Sequence, residues 1–292
     1  GVPQGSVLGP VLFILLTYDF PNYINDYSTA VMYADDTTLL CKGNTAEELS
    51  VNAYISLNMT YDYCASNDLA ANPQKTKQIN FGRRRGQIPV LPDVSLEEES
   101  KLLGLTLDAN LTWGPHINEL CKKLNSAVFV VRRLKQISST DVAKVAYHSL
   151  LETHLRYGIA IWGATSVANL NRVLIIQKTA IRSLAELDWQ ASCREAFKQL
   201  KIKTVIAIYI QEVILLVDKN GLPRETKTRS HNTRSTSRIP IPRHRTMLFE
   251  KKPTYIGTKL YNLLPDDIRA LTGAALGHRL DTWLTDQPLY SI

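Results

Sequence analysis

Tyr33-Ala34-Asp35-Asp36 lies between two apolar runs, STAVM before it and TTLL after it, and that arrangement restricts the local fold to a β-hairpin with a charged tip. Neighbouring residues on a regular strand point to opposite faces, so adjacent carboxylates converge only where the chain turns. Clustered carboxylate oxygens are the ligands that a hard divalent cation takes. Asp-Asp is also ordinary turn chemistry, because Asp tolerates tight backbone and hydrogen-bonds nearby amides. On this motif alone both readings of Asp35 and Asp36 stand.

Other punctuated segments flank the hairpin. Upstream, Gly1-Val2-Pro3-Gln4-Gly5-Ser6-Val7-Leu8-Gly9-Pro10 reads as a loop running into the apolar VLFILL, with glycines at 1, 5 and 9 permitting close approach and Gln4 and Ser6 offering polar contacts. Downstream come Asn72-Pro73-Gln74-Lys75-Thr76-Lys77 ahead of a strand-like QINF, a basic turn at Arg83-Arg84-Arg85, and Leu103-Gly104-Leu105-Thr106-Leu107-Asp108 before Leu111-Thr112-Trp113. In this order the four motifs resemble the reverse transcriptase of non-LTR (LINE-like, jockey-type) retrotransposons. The resemblance is specific over the first 113 residues and rests on order and weak pattern beyond them.

The resemblance implies an α+β fold: a partial polymerase palm of antiparallel hairpins and helices over residues 1–114, an all-α thumb over 115–221, a basic linker over 222–252 and a small helical C-terminal segment over 253–292. It implies an RNA-directed DNA polymerase working by two-metal nucleotidyl transfer with Mg²⁺ or Mn²⁺. RNA template, DNA primer and deoxynucleoside triphosphates are the implied partners, and cytoplasm and nucleus the implied compartments. Asp35 and Asp36 are then the metal ligands, Lys75 a cation near the triphosphate, and Gln4, Gly5, Ser6, Tyr33 and Ala34 the border of template, primer end and nucleotide. Leu103, Gly104 and Leu105 become a primer grip. From the residues alone, Lys75 reads equally as a surface lysine and the two leucines as core. The family uses a third aspartate on an earlier strand, and the sequence begins beyond it. The chain is therefore expected to be a piece of a longer polyprotein, with further palm and fingers and possibly an endonuclease, and to be inactive by itself. The other reading is a non-catalytic nucleic-acid-binding remnant of a retroelement.

Composition narrows the classes. With 45% hydrophobic and 21% charged residues among 292, the chain has the make-up of a folded globular protein. The cysteines, Cys41, Cys64, Cys121 and Cys193, form no Cys-x-x-Cys pair, which argues against a zinc knuckle or a disulfide framework. The longest apolar runs, Val7 to Leu16 and Val205 to Val217, are too short to span a bilayer. Between Leu222 and Lys252 nine Lys or Arg stand against two acids, which accounts for the whole formal charge of +7. Within that stripe Arg234, Arg238, Arg243 and Arg245 suit a nucleic-acid backbone, and a solvated linker fits the same composition.

Thr45-Ala46-Glu47-Glu48 is a capping box that opens a helix to about Ala65. From His116 to about Asn220 the pattern turns helical. Ile117, Leu120, Leu124, Val128, Val131 and Leu134 recur at spacings of three and four, as do Leu170, Val173, Leu174, Gln177, Ile181 and Leu184; Val142, Val145, Ser149 and Leu150 follow more loosely. Lys122, Lys123, Arg132, Arg133 and Lys135 fall opposite the first stripe, as a duplex-tracking face or a solvated one. His116 and His148 have no ligand-spaced partners and are assigned no metal. Asp266 and Asp267 read as a helix start after Pro265 and not as a second metal site.

Overall fold

A computed structural model describes residues 5–221 and 238–291. The fold is mixed helix and small sheets, and it divides into two compact units: Gly1–Leu102 with Leu107–Leu111, and Leu103–Thr106 with Thr112–Ile292. The first unit opens with α1 (Leu8–Leu16), α2 (Phe20–Tyr23), strands β1 (Ser28–Tyr33) and β2 (Asp36–Cys41), and α3 (Ala46–Ser66). Gly9 and Pro10 lie in the first turn of α1, where a proline costs no helical hydrogen bond, so the expected loop ends at Val7. β1 and β2 pair antiparallel from Ser28 opposite Cys41 to Tyr33 opposite Asp36. Alternation turns Ala30, Met32 and Leu39 onto a core of Phe20, Ile24 and Tyr63. α3 starts as the capping box specifies, with Thr45 Oγ1 accepting from Glu48 N at 3.1 Å and Glu48 Oε2 accepting from Asn44 N at 2.9 Å.

Short ladders follow: β3 (Lys77–Gln78) pairs parallel with β4 (Ser95–Leu96), and β5 (Glu99–Leu102) pairs with β6 (Leu105–Asp108). Of the strand expected over QINF only Gln78 is realised, as the last residue of β3. Asn80 turns the chain there, its amide donating to the carbonyls of Arg85 at 3.4 Å and Ile88 at 3.3 Å. The described strands thus form three separate two-stranded ladders.

The second unit is helical: α4 (Gly114–Ile137), α5 (Thr140–Ala146), a π-helical turn (Tyr147–Glu152), α6 (Thr153–Arg156), α7 (Ile159–Trp162), α8 (Val167–Ala185), α9 (Arg194–Gln199) and α10 (Val205–Lys219). After the segment outside the described residues come α11 (Met247–Glu250), α12 (Pro253–Leu263), α13 (Asp266–Arg269) and α14 (Gly273–Asp286). The stripes on α4 and α8 are buried as the spacing predicts, apart from half-buried Leu134. The α5 stripe differs. Val142 and Val145 are exposed, and small Ala143 and Ala146 with Tyr147 and Leu151 face the core. Gln177 is satisfied within that core: its amide donates to Tyr147 Oη at 2.8 Å and the Lys203 carbonyl at 2.9 Å, and its oxygen accepts from Val205 N at 2.8 Å. Asp266 and Asp267 open α13 after Pro265 as expected, Asp266 pairing with Arg269 and Asp267 with Arg279.

α10 is buried along most of its length because α12 and α14 close over it. Gly257 makes that crossing possible, since a Cβ there would meet Val217 Cγ2 at 2.6 Å and the Val213 carbonyl. Gly257→Ala is therefore expected to destabilise this unit by about 1–3 kcal/mol, read as a lowered denaturant midpoint at unchanged slope. An unchanged midpoint contradicts the close crossing.

Candidate nucleic-acid and metal site

In the first unit, the register that sets Tyr33 opposite Asp36 leaves a two-residue turn of Ala34 and Asp35. Ala34 takes φ 50, a left-handed conformation that costs a residue with a Cβ on the order of 1 kcal/mol. Asp36 is the first residue of β2, and Asp35 and Asp36 are both exposed. The hairpin thus projects two neighbouring carboxylates with Tyr33, 67% exposed, beside them. The core beneath the hairpin is tied together by α3: Tyr63 Oη donates to Asp19 Oδ1 at 2.5 Å and lies 3.0 Å from the Leu16 carbonyl. Burial, reinforced by that bond to Asp19, pushes the Tyr63 hydroxyl up to about 12. Asp19 is thereby a structural acceptor.

Among the described residues no three His, Cys, Asp or Glu side chains assemble into a cation-holding group. The pair on the hairpin contributes two hard oxygen donors, a partial set of the kind Mg²⁺ takes. Lys75 ends a 3₁₀ turn, Pro73–Lys75, capped by Asn72 Oδ1 accepting from Gln74 N at 3.1 Å, and its side chain is exposed. Among the described residues no hydrogen bond or ion pair joins Lys75 to Asp35 or Asp36. Gly5, with φ 85, and half-buried Ser6, whose Oγ accepts from Leu8 N at 3.2 Å, precede α1; Gln4 lies outside the described residues. A hollow of about 410 Å³ opens at the other end of the hairpin, lined by Asn25, Ser28, Lys42, Glu48 and Asn52. It contains none of the sequence-predicted residues.

In the second unit, Leu103 and Gly104 form a tight turn with φ 46 and φ 81. Tyr157 Oη donates to the Leu103 carbonyl, and the Tyr157 ring passes where a Gly104 Cβ would lie 3.4 Å away. At Gly158, φ 64, a Cβ would come within 2.8 Å of the Leu105 side chain. The Leu103–Leu105 turn is therefore seated on the corner between α6 and α7. Tyr157 and Gly158 gave no sequence signal, because the contact spans more than fifty residues of chain.

The basic residues separate into two groups. Lys122, Lys123, Arg132 and Arg133 are exposed on α4, whereas Lys135 is drawn away to Glu186 at 2.5 Å. The hydrogen bond from Lys135 holds the Glu186 carboxyl below its ordinary value. Farther on, Arg238, Arg243 and Arg245 are exposed, and Arg234 lies outside the described residues. Buried Ile239 anchors this stretch, exchanging hydrogen bonds with Asn262 of α12 at 2.9 and 2.8 Å. The His244 ring stacks on Phe249 with its centroid 5.9 Å away. Among the described residues no helix is long and apolar enough to cross a membrane.

Comparison with known proteins gives consistent results. Residues 1–107 match the family Reverse transcriptase (RNA-dependent DNA polymerase). The chain is 32% identical over 222 residues to the probable RNA-directed DNA polymerase from transposon BS of Drosophila melanogaster, a match covering 70% of this chain and 24% of that protein. It is 26% identical over 219 residues to the RNA-directed DNA polymerase from mobile element jockey of the same species, covering 69% and 24%. A Pol polyprotein from the type-1 retrotransposable element R1 of Nasonia vitripennis is 22% identical over 176 residues, covering 56% and 52%. The chain spans about a quarter of the length of the Drosophila relatives it matches. No solved structure matches.

Proposed function

We propose that the chain forms part of an RNA-directed DNA polymerase of a non-LTR mobile element, a reading supported by the match of residues 1–107 to the reverse transcriptase family and by the similarity to the Drosophila polymerases. The observation that carries this reading is the two-residue hairpin turn that projects Asp35 and Asp36 side by side. In this reading residues 1–114 are part of a palm, 115–221 a thumb, 222–252 a basic linker and 253–292 a C-terminal helical segment. Mg²⁺ or Mn²⁺, when bound, activates the primer hydroxyl and offsets charge on the leaving pyrophosphate. Asp35 and Asp36 supply two of the carboxylates that hold it.

The remaining roles are those that the resemblance implies. Tyr33 and Ala34 lie beneath the primer end, where a small side chain at 34 leaves room for nucleic acid. Gln4, Gly5 and Ser6 border the templating base and incoming nucleotide. Lys75, on its capped turn, offsets triphosphate charge. Leu103, Gly104 and Leu105 hold the primer, with Tyr157 as a positioning residue behind them. Lys122, Lys123, Arg132 and Arg133 on α4 meet the phosphate backbone, as do Arg234, Arg238, Arg243 and Arg245. The partners are RNA template, DNA primer and deoxynucleoside triphosphates. Work of this kind falls in the cytoplasm and nucleus.

The experiment is RNA-templated primer extension by the polymerase that carries this segment, with Mg²⁺ and all four nucleotides. Complementary DNA product supports the reading. Tight RNA binding without extension in an enzyme of full length would instead mark a nucleic-acid-binding remnant.

A further inference from the structure

Beyond α14 the chain turns back through Pro288, Leu289 and Tyr290 onto α8, α9 and the start of α10, all within the second unit. Thr204 Oγ1 donates to the Leu289 carbonyl at 2.7 Å. Tyr290 then places its ring 3.8 Å from Lys178 Nζ and 4.8 Å from the Arg194 guanidinium, with Phe197 edge-on at 6.3 Å. Arg182, one turn after Lys178, donates from Nε and Nη2 to the Ala191 carbonyl at 3.2 and 3.1 Å, which pins the loop between α8 and α9.

These cations are crowded and lack counter-charge. Burial, with Arg182 and Arg194 adding to it against the opposing effect of Cys193, holds the Lys178 ammonium below its ordinary value. Asp188 and Glu195 are exposed on the same stretch, yet among the described residues neither Lys178 nor Arg194 has a carboxylate partner. The Tyr290 hydroxyl is buried without a hydrogen-bond partner, so only the ring face contributes to the contact. On the pinned loop Trp189 is 79% exposed. A flat ring in contact with two cations, near a second exposed ring and with neither cation ion-paired among the described residues, has the chemistry of a base-and-phosphate site.

We propose that the surface where α8, α9 and their connecting loop meet binds single-stranded nucleic acid through Lys178, Arg182, Arg194 and Trp189, and that Tyr290 fills the base position when the strand is absent. The segment 288–290 is then a competitive cover. An incoming phosphate relieves the repulsion among the three cations, and an incoming base replaces the tyrosine ring. This site stands apart from the Asp35–Asp36 turn, and its occupancy is measurable without polymerisation.

The test uses the whole chain and a short fluorescein-labelled oligouridine followed by anisotropy. Tyr290→Ala is expected to tighten binding about threefold, the scale of an exposed cation–π contact removed from competition. Tyr290→Phe keeps the ring and should bind as the native chain does. Adding Lys178→Ala and Arg194→Ala to Tyr290→Ala should abolish the gain. Native-like affinity in Tyr290→Ala, or a gain that survives loss of both cations, overturns the proposal. A second measurement covers a variant that fails to fold: oligouridine added to the native chain should shift the ring-proton resonances of Tyr290 as the ring leaves Lys178 and Arg194. Unchanged resonances at saturating oligonucleotide overturn it equally.

Discussion

Asp35→Asn in the polymerase that carries this segment is expected to lower RNA-templated primer extension by about a thousandfold, which corresponds to roughly 4 kcal/mol of transition-state stabilisation. The substitution is nearly isosteric and removes one charge from the pair that would hold the catalytic cation. Asp35 is exposed in its turn and, among the described residues, makes no hydrogen bond or ion pair, so the fold has little to lose. Stability should stay within about 0.5 kcal/mol of the native protein, as for other surface changes. A variant that melts normally and extends primers at near the native rate removes the metal assignment.

The second large effect concerns charge. Replacing Arg234, Arg238, Arg243 and Arg245 together by Ala is expected to flatten the log–log salt dependence of nucleic-acid binding by roughly 3, because each lost phosphate contact takes away about 0.7 to 0.9. The exchange of hydrogen bonds between Ile239 and Asn262 favours this reading over a free linker, since it fixes backbone beside Arg238. Fixed backbone lowers the entropy lost when an arginine meets a phosphate. An unchanged slope would reduce the stripe to a solubilising segment.

What the sequence made legible follows from local rules. The hairpin around Asp35 needs only alternation and a turn, and the capping box at Thr45 is complete within four residues. The stripes on α4 and α8 are one-sided, so periodicity finds their buried faces. α10 is buried beyond a single stripe because α12 and α14 also pack against it, a contact that its own sequence does not signal. On α5 the chain buries small alanines and exposes Val142 and Val145, which a count of large apolar residues reads backwards.

The rest depended on contacts distant in sequence. The seat of Leu103–Leu105 needs Tyr157 and Gly158, and the clasp on Tyr290 needs Lys178 and Arg194. The short β3–β4 ladder depends on where Asn80 sends its amide, a choice no propensity encodes. At the candidate site, the identity of the carboxylates was plain from Tyr33-Ala34-Asp35-Asp36. Their distribution was not: Asp35 is in the turn and Asp36 already on the strand.

As cation ligands, Asp35 and Asp36 set how many Mn²⁺ ions the assembled polymerase holds. The polymerase carrying this segment is assembled with an RNA template, a dideoxy-terminated primer and the next nucleotide, and its tightly bound Mn²⁺ is counted by electron paramagnetic resonance. Asp35→Asn with Asp36→Asn is expected to lose tightly bound Mn²⁺ relative to the native complex while still binding template and primer. The same number of tightly bound ions in both complexes would contradict it.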